Sequence, residues 1–270
     1  MSVNTLLAGT VQLQPDLIRK SDDNVWTILR FSTLSSTNGF IHHHHHSLDD
    51  FTAVWALTQT KGRGRQRRVW RSIPNTDLTF STIVPLLAQA PEYWPSVTLL
   101  VAVAVVEQLK ELGFSPQIKW PNDIVINERK VAGILCESLM SNRNPRVIIG
   151  IGLNVNSPAE SFTGLRSRAT SLMVQGGSEL ALQDLLLNVL AQLHAGLKMW
   201  HQNRFKSIRH RVEEFLLRPE GRIQIRQSGQ IVTGQMVGID EFGYLMLKRS
   251  NGALERFTTG EMQLPKKQYR

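Results

Sequence analysis

The sequence has a single cysteine, Cys136, and no apolar run long enough to cross a lipid bilayer. One cysteine cannot form an internal disulfide, which fits a reducing compartment. The most apolar stretch, residues 97–106, is typical of a buried helix rather than of a membrane span. The first residues also lack the basic start and apolar run of a secretory signal. We therefore expect a cytoplasmic protein with no membrane partner.

Several common catalytic motifs are also missing. The sequence contains no G-x-x-x-x-G-K-[ST], no H-E-x-x-H, no G-x-S-x-G and no C-x-x-C. Their absence removes support for a P-loop ATPase, a zinc protease, an esterase with that serine motif and a thiol redox enzyme.

Acidic residues are scarce, and the formal net charge of the 270 residues is +9. Residues 61–71 carry six basic and no acidic side chains, and residues 203–270 carry 13 basic and 7 acidic ones. The remaining residues are slightly acidic. A nucleic-acid-binding protein more often carries basic charge along a whole face, and the sequence lacks an aromatic RNA-binding motif. A non-catalytic nucleic-acid-binding protein is therefore an alternative, but the charge distribution argues against it.

Hydrophobic periodicity predicts an α/β domain in the first four-fifths of the chain. Strands are predicted over residues 25–31, 51–57, 78–84, 124–126, 131–136 and 146–155. The last of these is apolar enough for the centre of a sheet. One helix is predicted from the candidate N-cap Ser96 to the candidate C-cap residue Gly113, and two more between residues 178 and 217.

After residue 219 the pattern changes to short alternating strands separated by turn residues, which predicts a small all-β unit of four or five strands. We expect an N-terminal extension over residues 1–24, a catalytic domain over residues 25–218 and a β domain over residues 219–270. The extension is too short for a helix-turn-helix domain, so no DNA partner is expected.

The run of five histidines, His42 to His46, is of low complexity. Neighbouring imidazoles can bind a transition metal. These side chains are not spread as the ligands of a structural zinc site are, and no cysteine is near. A solvated helix surface is the favoured interpretation.

The segment TKGRGRQRRVW, residues 60–70, combines glycines, arginines and a tryptophan; we call it the strap. Glycine lets the backbone approach a ligand, guanidinium groups bind phosphate and indole can stack on a ring. The alternative is a mobile basic surface loop.

Three further stretches carry polar groups beside predicted strands. They are SSTN (35–38), IKWPNDIVINERKVAGILCE (118–137) and GIGLN (150–154). Hydroxyls and amides at a strand end can bind a polar ligand, although SSTN alone is also typical of a helix N-cap. Glycines inside a strand usually mark a close approach to the backbone.

Taken in order, these stretches resemble those of biotin–protein ligases. The resemblance extends from about residue 25 to the end of the chain, and KWPND followed by RKVAGIL after a G-R-G-R loop is highly specific. The resemblance is based on the stretches SSTN (35–38), QTKGRGRQRRVW (59–70), KWPNDIVINERKVAGILCE (119–137), IGIGLNVN (149–156) and RATSL (168–172).

The resemblance implies a fold of the α/β (α+β) class. The expected catalytic domain is similar to class II aminoacyl-tRNA synthetases, with a mixed sheet flanked by helices, and a small SH3-like β-barrel follows it. The implied reaction has two steps, with biotin, ATP and Mg²⁺. The carboxylate of biotin attacks the α-phosphate of ATP to give biotinyl-5′-AMP and pyrophosphate. A lysine of the biotin carboxyl carrier protein of acetyl-CoA carboxylase then forms an amide and releases AMP. The enzyme would be a monomer or a homodimer.

The resemblance also implies a set of site residues. Its biotin contacts fall on Ser36, Thr37, Asn38, Gln59, Gly62, Arg63, Gly64, Arg65, Lys130 and Gly133. Its ATP-side contacts fall on Arg65, Arg68, Trp70, Lys119, Asn122 and Asn154. The expected catalytic residues are Arg65, Lys119, Asp123 and Lys130, with Asp123 either contacting the metal or accepting the proton of the incoming lysine. The cations would screen two anionic reactants, and the strap would close to exclude water from the adenylate.

Some positions depart from the family pattern. Lys61 stands where alanine is frequent, Arg67 stands where glycine is common, and the histidine run replaces part of a helix that has an apolar face. We expect this run to leave that face with nothing apolar to bury. Two related alternatives are a lipoate–protein ligase or octanoyltransferase, and a biotin-binding protein that has lost catalysis.

Overall fold

The computed structural model describes residues 15, 17–20, 25–87, 90–140, 144–164, 168–176 and 178–264. Most of the predicted N-terminal extension lies outside these residues. The thirteen strands of the described residues are β1 (Leu17–Lys20), β2 (Thr27–Leu34), β3 (Thr52–Gln59), β4 (Leu78–Pro85), β5 (Gln117–Lys119), β6 (Asp123–Ile126), β7 (Arg129–Leu139), β8 (Arg146–Leu153), β9 (Arg222–Gln227), β10 (Gln230–Ile239), β11 (Leu245–Lys248), β12 (Leu254–Phe257) and β13 (Glu261–Gln263). Their α-helices are α1 (Thr37–His44), α2 (Val97–Glu111), α3 (Leu172–Gly176), α4 (Leu182–Asn203) and α5 (Arg209–Phe215).

The chain divides into two compact units, one of residues 1–89 and 128–190 and the other of residues 90–127 and 191–270. In the first unit, the strands lie in the order β1-β2-β3-β4-β8-β7. Strands β2 and β3 are parallel, and the other neighbours are antiparallel. The predicted mixed sheet is confirmed. Strand β8 lies between β4 and β7 with seven of its eight residues buried, as its apolar sequence predicts.

Helix α1 packs on one face of this sheet. Side chains alternate between faces along a strand, so every second residue of β2 and β3 points towards the helix. Phe40 and Ile41 of α1 lie in a buried cluster with Leu29, Phe31 and Val54. The apolar residues that this helix buries come just before the histidine run, so the helix packs on the sheet although the run itself supplies nothing apolar.

The histidine run itself lies at the end of α1 and just beyond it. The rings of His42, His43 and His46 are exposed, and that of His44 lies 4.5 Å from the ring of Phe40. No group of three or more His, Cys, Asp or Glu side chains within the described ranges could hold a metal ion. The exposure of three of the five histidines agrees with a solvated helix surface.

The second unit is organised around α2, eleven of whose fifteen residues are buried. Ser96 precedes α2, but its side chain does not cap the helix. The Ser96 hydroxyl instead donates to the Tyr93 carbonyl at 2.6 Å and accepts from Trp200 Nε1 at 2.8 Å. The predicted N-cap role of Ser96 is thus wrong. Gly113 follows the helix with φ of 86°, as expected of a C-cap glycine.

The C-terminal part of the second unit is an antiparallel sheet with the order β12-β11-β10-β9-β13. Its five strands confirm the predicted all-β segment. Alternate residues Ile223, Ile225, Leu245 and Leu247 are fully buried, so one face of the sheet forms a core. Closure of this sheet into an SH3-like barrel, and the domain boundary near residue 219, stay predictions. Across the described part of the chain, no helix combines the length and apolarity that a membrane span requires.

Candidate active site

The α1 face of the first unit's sheet carries three glycines close together. Gly150 of β8 pairs with Ser81 of β4, and Gly152 of β8 pairs with Gly133 of β7. A Cβ atom at Gly150 would collide with the amide of Asn38, and one at Gly152 would collide with the indole of Trp70. The glycines therefore let two functional side chains lie directly on the backbone of the sheet.

Four polar side chains, three of them buried, form a hydrogen-bonded chain on this face. The backbone N–H of Thr37 donates to Gln59 Oε1 at 2.8 Å. The hydroxyl oxygens of Thr37 and Ser81 lie 2.6 Å apart, and Ser81 donates to Asn38 Oδ1 at 2.5 Å. Thr37, Asn38 and Ser81 are at most 4% exposed. A sheet face that only packs against apolar side chains needs no buried hydroxyl or amide groups. The burial of these three side chains together therefore indicates a polar recognition site at this end of the face.

Glu137 connects this chain to the strap. Its Oε2 accepts from Asn38 Nδ2 at 2.8 Å, and its Oε1 accepts from Arg63 at 2.9 Å. The Arg63 side chain is half exposed and that of Glu137 is about one-quarter exposed. The ion pair therefore joins the strap to the sheet at the border between solvent and the buried site.

Ser36 caps helix α1. Its hydroxyl accepts from the backbone N–H of Gly39 at 3.3 Å, and its own backbone is extended, as in an ordinary N-cap. The structure thus shows the capping role that SSTN also suggested. A contact of Ser36 with biotin stays a prediction.

The strap folds back on itself as a narrow loop. The N–H of Trp70 donates to the Gly62 carbonyl at 3.0 Å, and the N–H of Gly64 donates to the Arg68 carbonyl at 2.8 Å. A Cβ atom at Gly62 would collide with the carbonyl of Trp70, so this closure requires glycine. At the tip, Arg67 has φ of 60°, a left-handed conformation that costs a non-glycine residue about 1 kcal/mol. The glycine that the resemblance expects at this position would relieve the strain.

The end of the strap meets Lys130. The Lys130 ammonium lies 5.5 Å from the centroid of the Trp70 ring, within range of a cation–π interaction. A Cβ atom at Gly133 would lie 3.0 Å from both of these side chains. The backbone of Lys130 is held by the RATSL segment, because its N–H donates to the Arg168 carbonyl at 2.7 Å and its carbonyl accepts from Thr170 at 2.9 Å.

Asn154 and the exposed strap arginines differ in their surroundings. Asn154 is 5% exposed, and its side-chain amide donates to the Thr170 carbonyl at 2.9 Å. This bond fixes the RATSL segment beside Lys130. Arg68 is exposed and Arg65 is partly exposed on the strap, where guanidinium groups can reach a ligand. The predicted ATP contacts of these residues stay predictions.

Lys119, Asn122 and Asp123 belong to the second unit. Lys119 lies opposite Asp123 in the antiparallel pair of β5 and β6, and all three side chains are partly exposed. The preceding residue, Ile118, is fixed by its carbonyl, which accepts from the N–H of Leu217 at 2.8 Å. The catalytic, ATP-binding and metal-binding roles expected of this segment stay predictions.

A buried carboxylate supports the loops beside the site. Asp77 is 3% exposed and accepts from the N–H of Ile73 at 2.9 Å, the N–H of Val155 at 3.1 Å and the hydroxyl of Ser157 at 2.6 Å. Burial raises the pKa of Asp77, and the hydrogen bond from Ser157 and those from the two backbone groups oppose this shift. Asp77 thus joins the segment after the strap to the residues that follow β8.

Comparison with known proteins identifies the family. Residues 31–154 match the biotin/lipoate A/B protein ligase family, and residues 222–264 match the biotin protein ligase C-terminal domain. The chain is 32% identical over 245 residues to the bifunctional ligase/repressor BirA of Bacillus subtilis, covering 88% of this chain and 74% of that protein. The chain belongs to the biotin protein ligase family.

Other relatives agree with this membership. The biotin–[acetyl-CoA-carboxylase] ligase of Mycobacterium tuberculosis is 29% identical over 203 residues, which is 73% of each chain. The biotin protein ligase of Aquifex aeolicus in complex with biotin and ATP superposes with a TM-score of 0.75 at 29% identity, covering 87% of this chain and 97% of that one. The enzyme is a biotin ligase, as its motifs predicted.

Three residues of this biotin ligase site were not predicted from the sequence: Ser81, Glu137 and Asp77. Ser81 is the central residue of the run LTFSTIV, and a hydroxyl at a buried strand position is a usable signal. Glu137 ends the apolar run AGILC, and Asp77 directly precedes β4. Neither position distinguishes a site residue from an ordinary strand end without knowledge of its partners.

Proposed function

We propose that this biotin ligase activates biotin with ATP to biotinyl-5′-AMP and then transfers the biotinyl group to a lysine of a biotin carboxyl carrier protein, with acetyl-CoA carboxylase as the acceptor. The complex of the Aquifex relative with biotin and ATP supports the two substrates. The printed name of the Mycobacterium relative supports the acceptor. The cytoplasmic location and the oligomeric state remain predictions.

The observation that carries this proposal is the buried polar chain of Gln59, Thr37, Ser81 and Asn38 beside a face of glycines. Biotin ends in a cyclic urea, which has one hydrogen-bond acceptor and two donors. The dithiolane ring of lipoate and the end of an octanoyl chain have neither. A buried polar group without a partner is costly, so this site favours a substrate with a polar ring. This argues against the lipoate or octanoate alternative.

The strap and Lys130 supply the positive charge that the first step requires. The carboxylate of biotin must approach an anionic triphosphate, and the Lys130 ammonium, which lies 5.5 Å from the Trp70 ring centroid, would bind and orient the anionic oxygens. The strap arginines add charge and, when ordered over the ligand, exclude the water that would hydrolyse the adenylate. The strap and Lys130 would therefore bind, orient and shield the reactants.

Mg²⁺ would enter with the phosphates of ATP and neutralise part of their charge. The described residues contain no cluster of three or more His, Cys, Asp or Glu that could hold a metal ion by itself.

Biotin-dependent exchange of labelled pyrophosphate into ATP tests this function. Purified protein should catalyse exchange with biotin and not with lipoate or octanoate, and the variant Lys130→Ala should lose it. Lys198→Ala, which removes an exposed lysine of α4, is the matched control and should retain exchange. Exchange with lipoate instead of biotin would contradict the proposal, as would binding of biotin without any exchange.

A further inference from the structure

The hydrogen bonds of the buried chain can run in only one direction. Ser81 has one hydroxyl hydrogen, yet its oxygen lies 2.5 Å from Asn38 Oδ1 and 2.6 Å from Thr37 Oγ1. An amide oxygen can only accept, so Ser81 must donate to Asn38. The hydrogen between Thr37 and Ser81 must then come from Thr37, because two oxygens 2.6 Å apart need a hydrogen between them. The longer contact of 3.3 Å between the Thr37 hydroxyl oxygen and Gln59 Oε1 then carries no hydrogen.

The orientation of the Asn38 amide decides this direction. If the amide were flipped, its nitrogen would donate to Ser81, Ser81 would donate to Thr37, and every bond would reverse. Glu137 prevents the flip, because the amide oxygen would then face the Glu137 carboxylate at 2.8 Å. The Leu135 carbonyl, 3.4 Å from Asn38 Nδ2, also opposes the flip, because it would then face the amide oxygen.

The direction determines what the site offers to a ligand. Because Thr37 gives its hydrogen to Ser81, its hydroxyl oxygen can act towards a ligand only as an acceptor. Gln59 Oε1 is occupied by the backbone N–H of Thr37 at 2.8 Å, so the Gln59 amide nitrogen points away, towards Gly62. The site then presents an acceptor at Thr37 and donors at Gln59, which complement the N–H and C=O groups of a urea.

We propose that Glu137 is the positioning residue that fixes the direction of this hydrogen-bonded chain and thereby makes the site selective for a cyclic urea. The inference deepens the proposed function and rests on it. Arg63 also constrains residue 137, because its guanidinium group can only donate hydrogen bonds to that residue.

The variant Glu137→Gln should reverse the chain. Arg63 would still require an oxygen from residue 137, so the new amide nitrogen at that position would face residue 38 and the Asn38 amide would flip. Thr37 would then accept from Ser81 and lose a lone pair for the ligand. We expect the Kd for biotin, measured by calorimetry, to rise roughly tenfold or more, with the KM for ATP changed by less than about twofold.

The swap Asn38→Asp with Glu137→Gln is the decisive variant. It keeps the total charge, and the carboxylate at position 38 accepts both from the new amide nitrogen and from Ser81, so the original direction returns. The double variant should bind biotin within roughly threefold of wild type. Asn38→Asp alone places two carboxylates against each other across a 2.8 Å contact. This single variant should bind biotin more weakly than wild type and more weakly than the double variant. Ser81→Ala, which breaks the chain in the middle, should resemble Glu137→Gln.

Glu160→Gln, on an exposed turn of the same unit, is the control and should bind as wild type does. The proposal would be overturned if the double variant bound biotin no more tightly than Glu137→Gln does. It would also be overturned if Glu137→Gln lost biotin binding and ATP binding equally. If Asn38→Asp alone fails to fold, the comparison of Glu137→Gln with the double variant still decides. Wild-type protein that binds biotin but lacks pyrophosphate exchange would overturn the proposed function alone, since the direction of the chain is measured by binding.

Discussion

The ammonium nitrogen of Lys130 lies 5.5 Å from the centroid of the Trp70 indole ring. The two residues are far apart in the chain, and the glycines of β7 and β8 provide the surface on which they meet. The last residue of the strap is thus within contact range of the lysine near the start of β7. This relationship makes several properties of the site testable.

Gly152→Ala should displace Trp70. The added methyl group would overlap the indole, and the backbone of β8 offers no space to shift away because both neighbouring strands are paired to it. We expect pyrophosphate exchange to fall by roughly 10²-fold, since small misplacements of a site residue cost this much. Gly133→Ala should have a smaller effect, because its added methyl group would lie 3.0 Å from the Trp70 ring, a tight contact rather than an overlap, and the flexible end of Lys130 can move away.

Gly196→Ala, in helix α4, is the control for Gly152→Ala. Its added methyl group would make only ordinary contact, 3.5 Å from Leu100, and alanine favours a helix by about 1 kcal/mol over glycine. Its activity should equal that of wild type and its melting temperature should not fall. Full activity in Gly152→Ala would show that the position of Trp70 does not matter.

Ligands should protect the strap from trypsin. Arg63, Arg67 and Arg68 are exposed cleavage sites on a loop that is predicted to close over biotin and ATP. Mass spectrometry should show slower cleavage at these arginines when both ligands are added. Cleavage at Arg249, in an exposed turn of the C-terminal sheet, serves as the internal reference and should be unchanged. Equal cleavage rates with and without ligands would contradict a closing strap.

Asp77→Ala should destabilise the protein. It leaves three donors, from Ile73, Val155 and Ser157, without their acceptor, and each buried unpaired group costs about 1–3 kcal/mol. Urea unfolding should therefore show a loss of several kcal/mol. Asp49→Asn, at an exposed position, is the control and should unfold as wild type does.

The stability that Asp77 contributes should also depend on pH. Because burial raises the pKa of Asp77, the folded protein keeps the proton at pH values where the unfolded chain has lost it. The contribution is fully present below the ordinary aspartate pKa and is lost as the pH rises through the raised value. The stability of wild type relative to Asp77→Asn should thus decline in urea titrations as the pH rises above about 4. A difference that grows with pH would contradict this assignment.

The sequence predicted the strands and helices well because their patterns are local. Residues 147–153 are continuously apolar, and β8 lies buried within the sheet. The alternation after residue 219 became five short strands. Ser96 shows where a local rule failed. Serine before a helix is normally a cap, but here Trp200, more than a hundred residues away, uses the hydroxyl as an acceptor.

The site was predicted in part. The motifs located the strap, Lys130 and the residues at the start of α1, because these stretches combine charge, glycine and polar groups. Glu137 could not be identified in this way, since its importance comes from a hydrogen bond to Asn38 that joins segments far apart in the chain. Ser81 gave a signal, a hydroxyl inside an apolar strand, but the sequence does not show that its partner is Asn38.

The central claim is that the strap and Lys130 act on one substrate site. A double-mutant cycle on Arg65 and Lys130 tests it most directly, with the rate of biotin-dependent pyrophosphate exchange measured for Arg65→Ala, Lys130→Ala and the double variant. Groups that bear on the same reacting anions are not independent, so we predict a coupling of about 0.5–3 kcal/mol between the two substitutions. Effects that simply add, with no coupling, would contradict a shared site.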